Sequence, residues 1–187
     1  MIAYHYGSND TLSPEYVSDR ESFYGVTSHP ATVFDGTSGI IWAEHPEENY
    51  SLFESYIIKE RNIAPKLRLH MEKNLVSSIL NLKLHIVSID SIENGNYRLF
   101  FVLYEDSVYF IQSGASDSIF YFVVREMNLN GQGVSVDLFY PDSIVKEDDF
   151  YIQDHWNTEK LGIVAFVQDI ETKQVLQAIV DKRITTD

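Results

Sequence analysis

The chain has 187 residues, 44% of them hydrophobic and none of them cysteine, which is enough apolar matter for one large domain or two small ones and excludes every thiol chemistry, disulfide and thiolate-bound zinc. Fourteen basic against 28 acidic residues leave a net charge of −14, which repels phosphate backbones and rules out nucleic acid as a general partner.

The first 64 residues alternate between strand and helix patterns. Ile2 to Gly7 is a short β-rich run followed by the turn cluster Ser8-Asn9-Asp10. Ser13-Pro14-Glu15 predicts a helix start, with a capping hydroxyl, proline at the first helical position and an acid in the first turn. That helix is expected to run to Tyr24, with Leu12, Tyr16 and Phe23 on one side, and to stop at Gly25. Ala31 to Gly36 and Gly39 to Ala43 are close enough to form a hairpin around Asp35-Gly36. Pro46-Glu47-Glu48 opens a second helix, ending near Asn62, in which Tyr50, Phe53 and Ile57 recur at helical spacing.

From Pro65 the period changes to two. Leu67, Leu69 and Met71 alternate with charged residues, as do Leu80, Leu82, Leu84 and Ile86 with Asn81, Lys83 and His85. Such alternation describes antiparallel strands that cover a core on one side. Further strands are expected at Tyr97–Tyr104, Val108–Gln112, Ile119–Met127, Val134–Phe139, Phe150–Gln153, Leu161–Gln168 and Gln174–Val180, which together make a β-sandwich. No apolar run approaches the roughly 18 residues of a membrane span, so no span is expected in this chain. Met1 leads into IAYHY without the pattern of an export signal.

The β-α-β-β-α order, with Ser28-His29-Pro30 leading into a strand, resembles the second half of a thioredoxin fold. In that fold the corresponding strand begins at a cis-proline, which the resemblance places at His29-Pro30 within YGVTSHPATVFDG. IVAFVQDIETKQVLQA (Ile163 to Ala178) resembles the closing hairpin of the roughly 28-kilodalton outer-membrane-protein family of Bacteroidetes and related bacteria, and fold likeness of this kind says little about chemistry. YHYGSND, REMNLNGQG and the proline segment resemble that family's other blocks in the same order. The resemblance implies an α+β protein: a partial thioredoxin-like β-α-β-β-α module in residues 1–64, packed on an antiparallel β-sandwich in residues 65–187. It also implies export to the periplasm or the outer-membrane surface, often with a lipid anchor. The strands and Cys-x-x-Cys helix of the family's first half, with the signal and anchor, would precede Met1, so a natural start upstream is expected. A sheet lacking that half would leave Ile2–Gly7 unpaired, and a homodimer through residues 1–64 is expected from the vacancy.

No catalytic residue is expected: GxSxG is missing, and Thr37-Ser38-Gly39 reads as a turn. The six histidines fall in different elements without HxH or HExxH spacing, so no metal and no cofactor is expected. Calcium would have Asn128–Gly133, which lacks carboxylates, or Glu147-Asp148-Asp149 with Asp154 and His155, which a solvated loop also explains. His29 and Pro30 are the structural cis-proline candidates. His155 and Trp156 are the candidate ligand contacts, because an indole in a polar loop is hard to explain by packing. The function these features support is a non-enzymatic envelope protein that binds or scaffolds, with an envelope protein or a glycan as partner. Its alternatives are a thiol–disulfide protein whose catalytic half lies outside this chain, and a glycan- or calcium-binding sandwich.

Overall fold

The computed structural model of the protein describes residues 2–7, 10–42, 46–111 and 118–184. Ser8, Asn9, Ala43 and Gln112, at the ends of expected elements, lie outside these residues. Helix α1 spans Val17–Tyr24 and begins later than the sequence predicts. Ser13 and Pro14 form a turn instead: the Ser13 amide donates to the Asp10 carbonyl (3.0 Å) and the Val17 amide to the Pro14 carbonyl (3.1 Å). Gly25 ends the helix in the left-handed conformation (φ 78°), donating to the Glu21 carbonyl at 2.7 Å. A two-residue hairpin follows, β1 (Ala31–Thr32) on β2 (Ile41–Trp42), paired Ala31 with Trp42. Helix α2 spans Pro46–Arg61. It packs by Phe53 and Tyr56, whose rings lie 5.3 and 5.7 Å from Phe34, while Tyr50 and Ile57 are exposed. The inward face is therefore turned from the predicted one, because the helix rests on one ring that spans positions i and i+3.

The rest of the chain is β3 (Leu67–Val76), β4 (Ile79–Ser88), β5 (Tyr97–Glu105), β6 (Val108–Tyr109), β7 (Ile119–Phe120), β8 (Val123–Met127), β9 (Val134–Ser135), β10 (Ser143–Tyr151), β11 (Leu161–Asp169) and β12 (Val175–Asp181). One sheet has the order β10-β4-β3. The other has the order β12-β11-β5-β8, with β9 also on β5. All of these named strand pairs are antiparallel. Leu80, Leu82, Leu84, Ile86 and Phe150 of the first sheet meet Leu99, Phe101, Leu103, Ile163, Ala165 and Val167 of the second in one buried core. Each such leucine, isoleucine, valine or phenylalanine contributes about 1.5–3 kcal/mol when fully buried.

The opposite face of the second sheet is buried too. Phe100, Val102, Val124, Met127 and Phe166 pack there with Ile2, Tyr4 and Tyr16, and the Phe100 and Phe166 rings stack at 5.0 Å. Burial on both faces is why LFFVLY and IVAFV are continuous apolar runs rather than alternating ones. The N-terminal segment thus supplies a third layer. It also extends the sandwich sheet: Ala3 makes a parallel bridge to Val123, donating to the Phe122 carbonyl (2.8 Å) and accepting from the Val124 amide (2.9 Å). Of the expected strand Ile2–Gly7 only Ala3 makes a ladder contact, and it does so with the sandwich sheet rather than with β1 or β2. Above the same face Arg20 of α1 is buried, its guanidinium 4.8–5.0 Å from the Phe23, Tyr24 and Phe100 rings. It donates to the Tyr24 hydroxyl (2.9 Å) and to the Gln168 side-chain oxygen (3.3 Å).

Candidate functional site

A cleft of about 390 Å³ opens where the end of β5, the β6–β7 hairpin, β8 and the turn before β11 converge. At its base is Glu105, only 5% exposed. Its Oε2 accepts from Arg125 Nε (2.9 Å) and Nη2 (2.8 Å), and its Oε1 accepts from the Asn157 amide (3.1 Å). Both carboxylate oxygens are therefore engaged, as a buried charge requires. Asn157 caps the turn Thr158–Lys160, its Oδ1 accepting from the Glu159 amide at 3.1 Å. That cap orients Lys160, whose ammonium group donates to the Ser107 carbonyl at 3.0 Å. Asp106 turns its carboxylate onto the Ser107 amide (2.9 Å).

Tyr109 forms one wall of the cleft. It stands directly opposite Ile119 in the β6–β7 hairpin, and Ile111 and Tyr121 lie just beyond the paired residues of the two strands. All four are exposed, at 69, 46, 75 and 55% respectively. The opposite phase of the hairpin packs Val108, Phe110 and Phe120 against Leu12 and Val123. One face anchors the hairpin, and the other presents Tyr109 and Ile119, of which Tyr109 lines the cleft.

Of the two candidate ligand contacts, His155 lines this cleft and Trp156 does not. Trp156 packs half-buried against the inter-sheet core, with His155 at its ring edge, so packing accounts for the indole after all. The His29–Pro30 bond is cis, as is Tyr140–Pro141. His29 pairs with the Glu21 carboxylate and stacks on Tyr6 at 4.4 Å, within the N-terminal layer. For calcium, the Asn128 side chain is already committed to the β5 backbone, accepting from the Phe101 amide (3.0 Å) and donating to the Leu99 carbonyl (3.2 Å). Glu147 and Asp149 point out of β10 while Asp148 is on its inward phase. Among the described residues no group of three or more His, Asp and Glu is placed to hold a metal ion. Glu105, Arg125, Lys160 and Tyr109 escaped the sequence reading. The available signal was a charged residue set into or just after an apolar strand, as in LFFVLYE and FVVREM.

Near the cleft, burial pushes the Tyr104 hydroxyl up, helped by the Asp106 charge. On the inter-sheet face of β8, burial and then the Asp148 carboxylate hold Glu126 above the usual carboxylate value. Under α1, burial pushes Tyr4 up to about 12.

No family model matches the chain, and no curated protein matches it. Among solved structures it is similar to HBP35 of Porphyromonas gingivalis, with a TM-score of 0.77 at 11% identity over 94% of this chain. The chain spans 61% of the length of that structure. A domain of the outer membrane lipoprotein Omp28, also from Porphyromonas gingivalis, aligns with a TM-score of 0.49 at 13% identity, covering 65% of this chain and 90% of that one. Both structures come from a member of the Bacteroidetes. The first match shows a shared fold.

Proposed function

We propose that this chain is a non-enzymatic binding module of the bacterial cell envelope, holding its ligand in the Glu105–Arg125–Lys160 cleft and against the hairpin beside it. The observation that carries this reading is the hairpin itself. A two-stranded ribbon with one buried face has no structural need for the exposed Tyr109 and Ile119 on the other, and with the exposed Ile111 and Tyr121 at its ends it offers apolar side chains beside a cleft, the usual mark of an interaction surface. Placement in the envelope is supported by the resemblance of Ile163–Ala178 to the outer-membrane-protein family and by the fold shared with HBP35. The thioredoxin-like reading of residues 1–64 rests on the sequence of α1, the β1–β2 hairpin, α2 and the His29-Pro30 turn. Self-association through that region is supported by the exposed Tyr50, Leu52, Ile57 and Ile58 of α2. Peptide and glycan arrays probed with the native chain and with a Tyr109→Ser, Ile119→Ser double variant test the binding site. Loss of the hits in the folded variant is expected. Hits that survive unchanged, or turnover of a bound ligand, would overturn the reading.

A further inference from the structure

We propose that the outer face of the β10-β4-β3 sheet carries a binding site for a divalent late-transition cation of the zinc type, held by His70, His85 and Glu72. The site is separate from the cleft and does not rest on the reading above. The pairing of β3 with β4 assembles it: His70 stands directly opposite His85, and Glu72 follows His70 by two residues on the same solvent-facing phase. The ring centroids lie 5.8 Å apart. The Nε2 atoms of both rings lie near one carboxylate oxygen, Glu72 Oε1, at 3.0 Å for His85 and 4.0 Å for His70. Sequence spacing conceals the set, because its two histidines belong to different strands.

Ligands held at about 2.0–2.1 Å around a tetrahedral ion stand about 3.3 Å from one another, so His85 and Glu72 are already spaced for one ion and the His70 nitrogen has about 0.7 Å to close. As the side chains stand they do not enclose an ion. His70 and Glu72 are exposed, however, and rotation of either closes the gap without moving the backbone. Glu72 is available because Lys83, its cross-strand partner, turns to Glu147 on β10 at 3.5 Å. The field of the face does not decide the matter, since Glu72, Glu147 and Asp149 are set against Lys83 and Arg68. Ligand chemistry does. Two imidazoles opposed on a ladder repel once protonated, whereas both serve one ion as neutral ligands. A plain surface pair of His85 with Glu72 does not require the second ring. Two imidazole nitrogens with one carboxylate suit zinc, copper or nickel, while calcium and magnesium take oxygen sets. Three ligands from the chain leave the fourth position to water.

Isothermal titration of the full chain with zinc chloride, with imidazole resonances followed in parallel, tests the assignment at about pH 7.5, where an ordinary imidazole is neutral. One equivalent is expected to bind, with the His70 and His85 ring signals moving together to one endpoint. His70→Ala and His85→Ala are each expected to weaken binding at least about tenfold, the loss that even outer-shell substitutions produce. Glu72→Gln should weaken it too, whereas Asp90→Asn, the same charge change at an exposed position beyond β4, should leave it unchanged. Circular dichroism checks that every variant folds. Zinc bound equally well by both histidine variants would place the ion elsewhere and overturn the site. Loss in His85→Ala but not in His70→Ala would reduce it to a single imidazole and overturn it as well. So would calcium that competes at equal concentration, or the absence of saturable binding below about 1 mM zinc.

Discussion

Asn128 stands where β8 stops pairing with β5 and β9 has not yet begun, and its amide makes the two hydrogen bonds that a strand residue would otherwise make to Leu99 and Phe101. The chain is free to turn there through the left-handed residues Leu129, Asn130 and Gly131 because the ladder has been completed by a side chain. Removing that amide leaves a buried N–H and a buried C=O unpaired, each worth about 1–3 kcal/mol. Asn128→Ala is accordingly expected to cost about 2–4 kcal/mol in a denaturant melt; a loss under 1 kcal/mol would mean that water or a shifted strand satisfies both groups. Glu126 works in the opposite direction. Burial and Asp148 raise its pKa above the ordinary 4.5, so the folded state holds the proton more tightly than the unfolded chain does. Stability therefore falls as pH rises from the unfolded value through the folded one, and the deficit persists at neutral pH. Glu126→Gln is expected to raise the melting temperature at pH 7 and to flatten its fall between pH 4 and pH 7, measured by thermal melts across that range.

Strand β10 illustrates how much of the fold can be read from sequence and where reading fails. The alternation of β3 and β4 and the unbroken apolar runs of β5 and β11 announce their burial, because side-chain period and layer position are directly linked. In β10 the inward phase runs Ile144, Lys146, Asp148, Phe150, so two charges interrupt the apolar period, and the sequence reads as a strand only at Phe150–Gln153, with Glu147-Asp148-Asp149 as a solvated loop. The structure makes it an edge strand, where inward charges discourage pairing with another chain. Ile119–Met127, expected as one strand, is broken at Phe122 (φ 56°), and that break separates the hairpin from β8 and shapes the cleft. The cleft was less legible than the core because its residues come from four distant stretches, and only the charges at Glu105 and Arg125 hinted at a pair. The β1–β2 hairpin docks through Gly36, where an added Cβ would lie 1.7 Å from the Lys173 carbonyl, and its φ of 79° adds strain. Gly36→Ala is expected to destabilise by about 1–3 kcal/mol and to raise amide exchange in residues 31–42; unchanged exchange would show that the hairpin does not depend on this contact.

At the scale of the whole molecule, the second sheet is the structural centre, with the first sheet on one face and the N-terminal layer on the other. Phe101, fully buried among both sheets, is expected to cost about 3–5 kcal/mol as Phe101→Ala, and calorimetry should show the two layers melting together. Separate transitions would mean that the N-terminal layer folds on its own account. In the proposed binding reading, recognition falls to the β6–β7 hairpin and the turn before β11, which are anchored by buried residues and present their remaining groups outward. The most direct test of that division is an amide-resonance titration of the isotopically labelled chain with the tightest-binding peptide from the arrays. Saturable shifts confined to residues 105–111, 119–125 and 155–160 are predicted. Shifts centred on α2 or on β3 and β4, or none at any peptide concentration, would contradict the account.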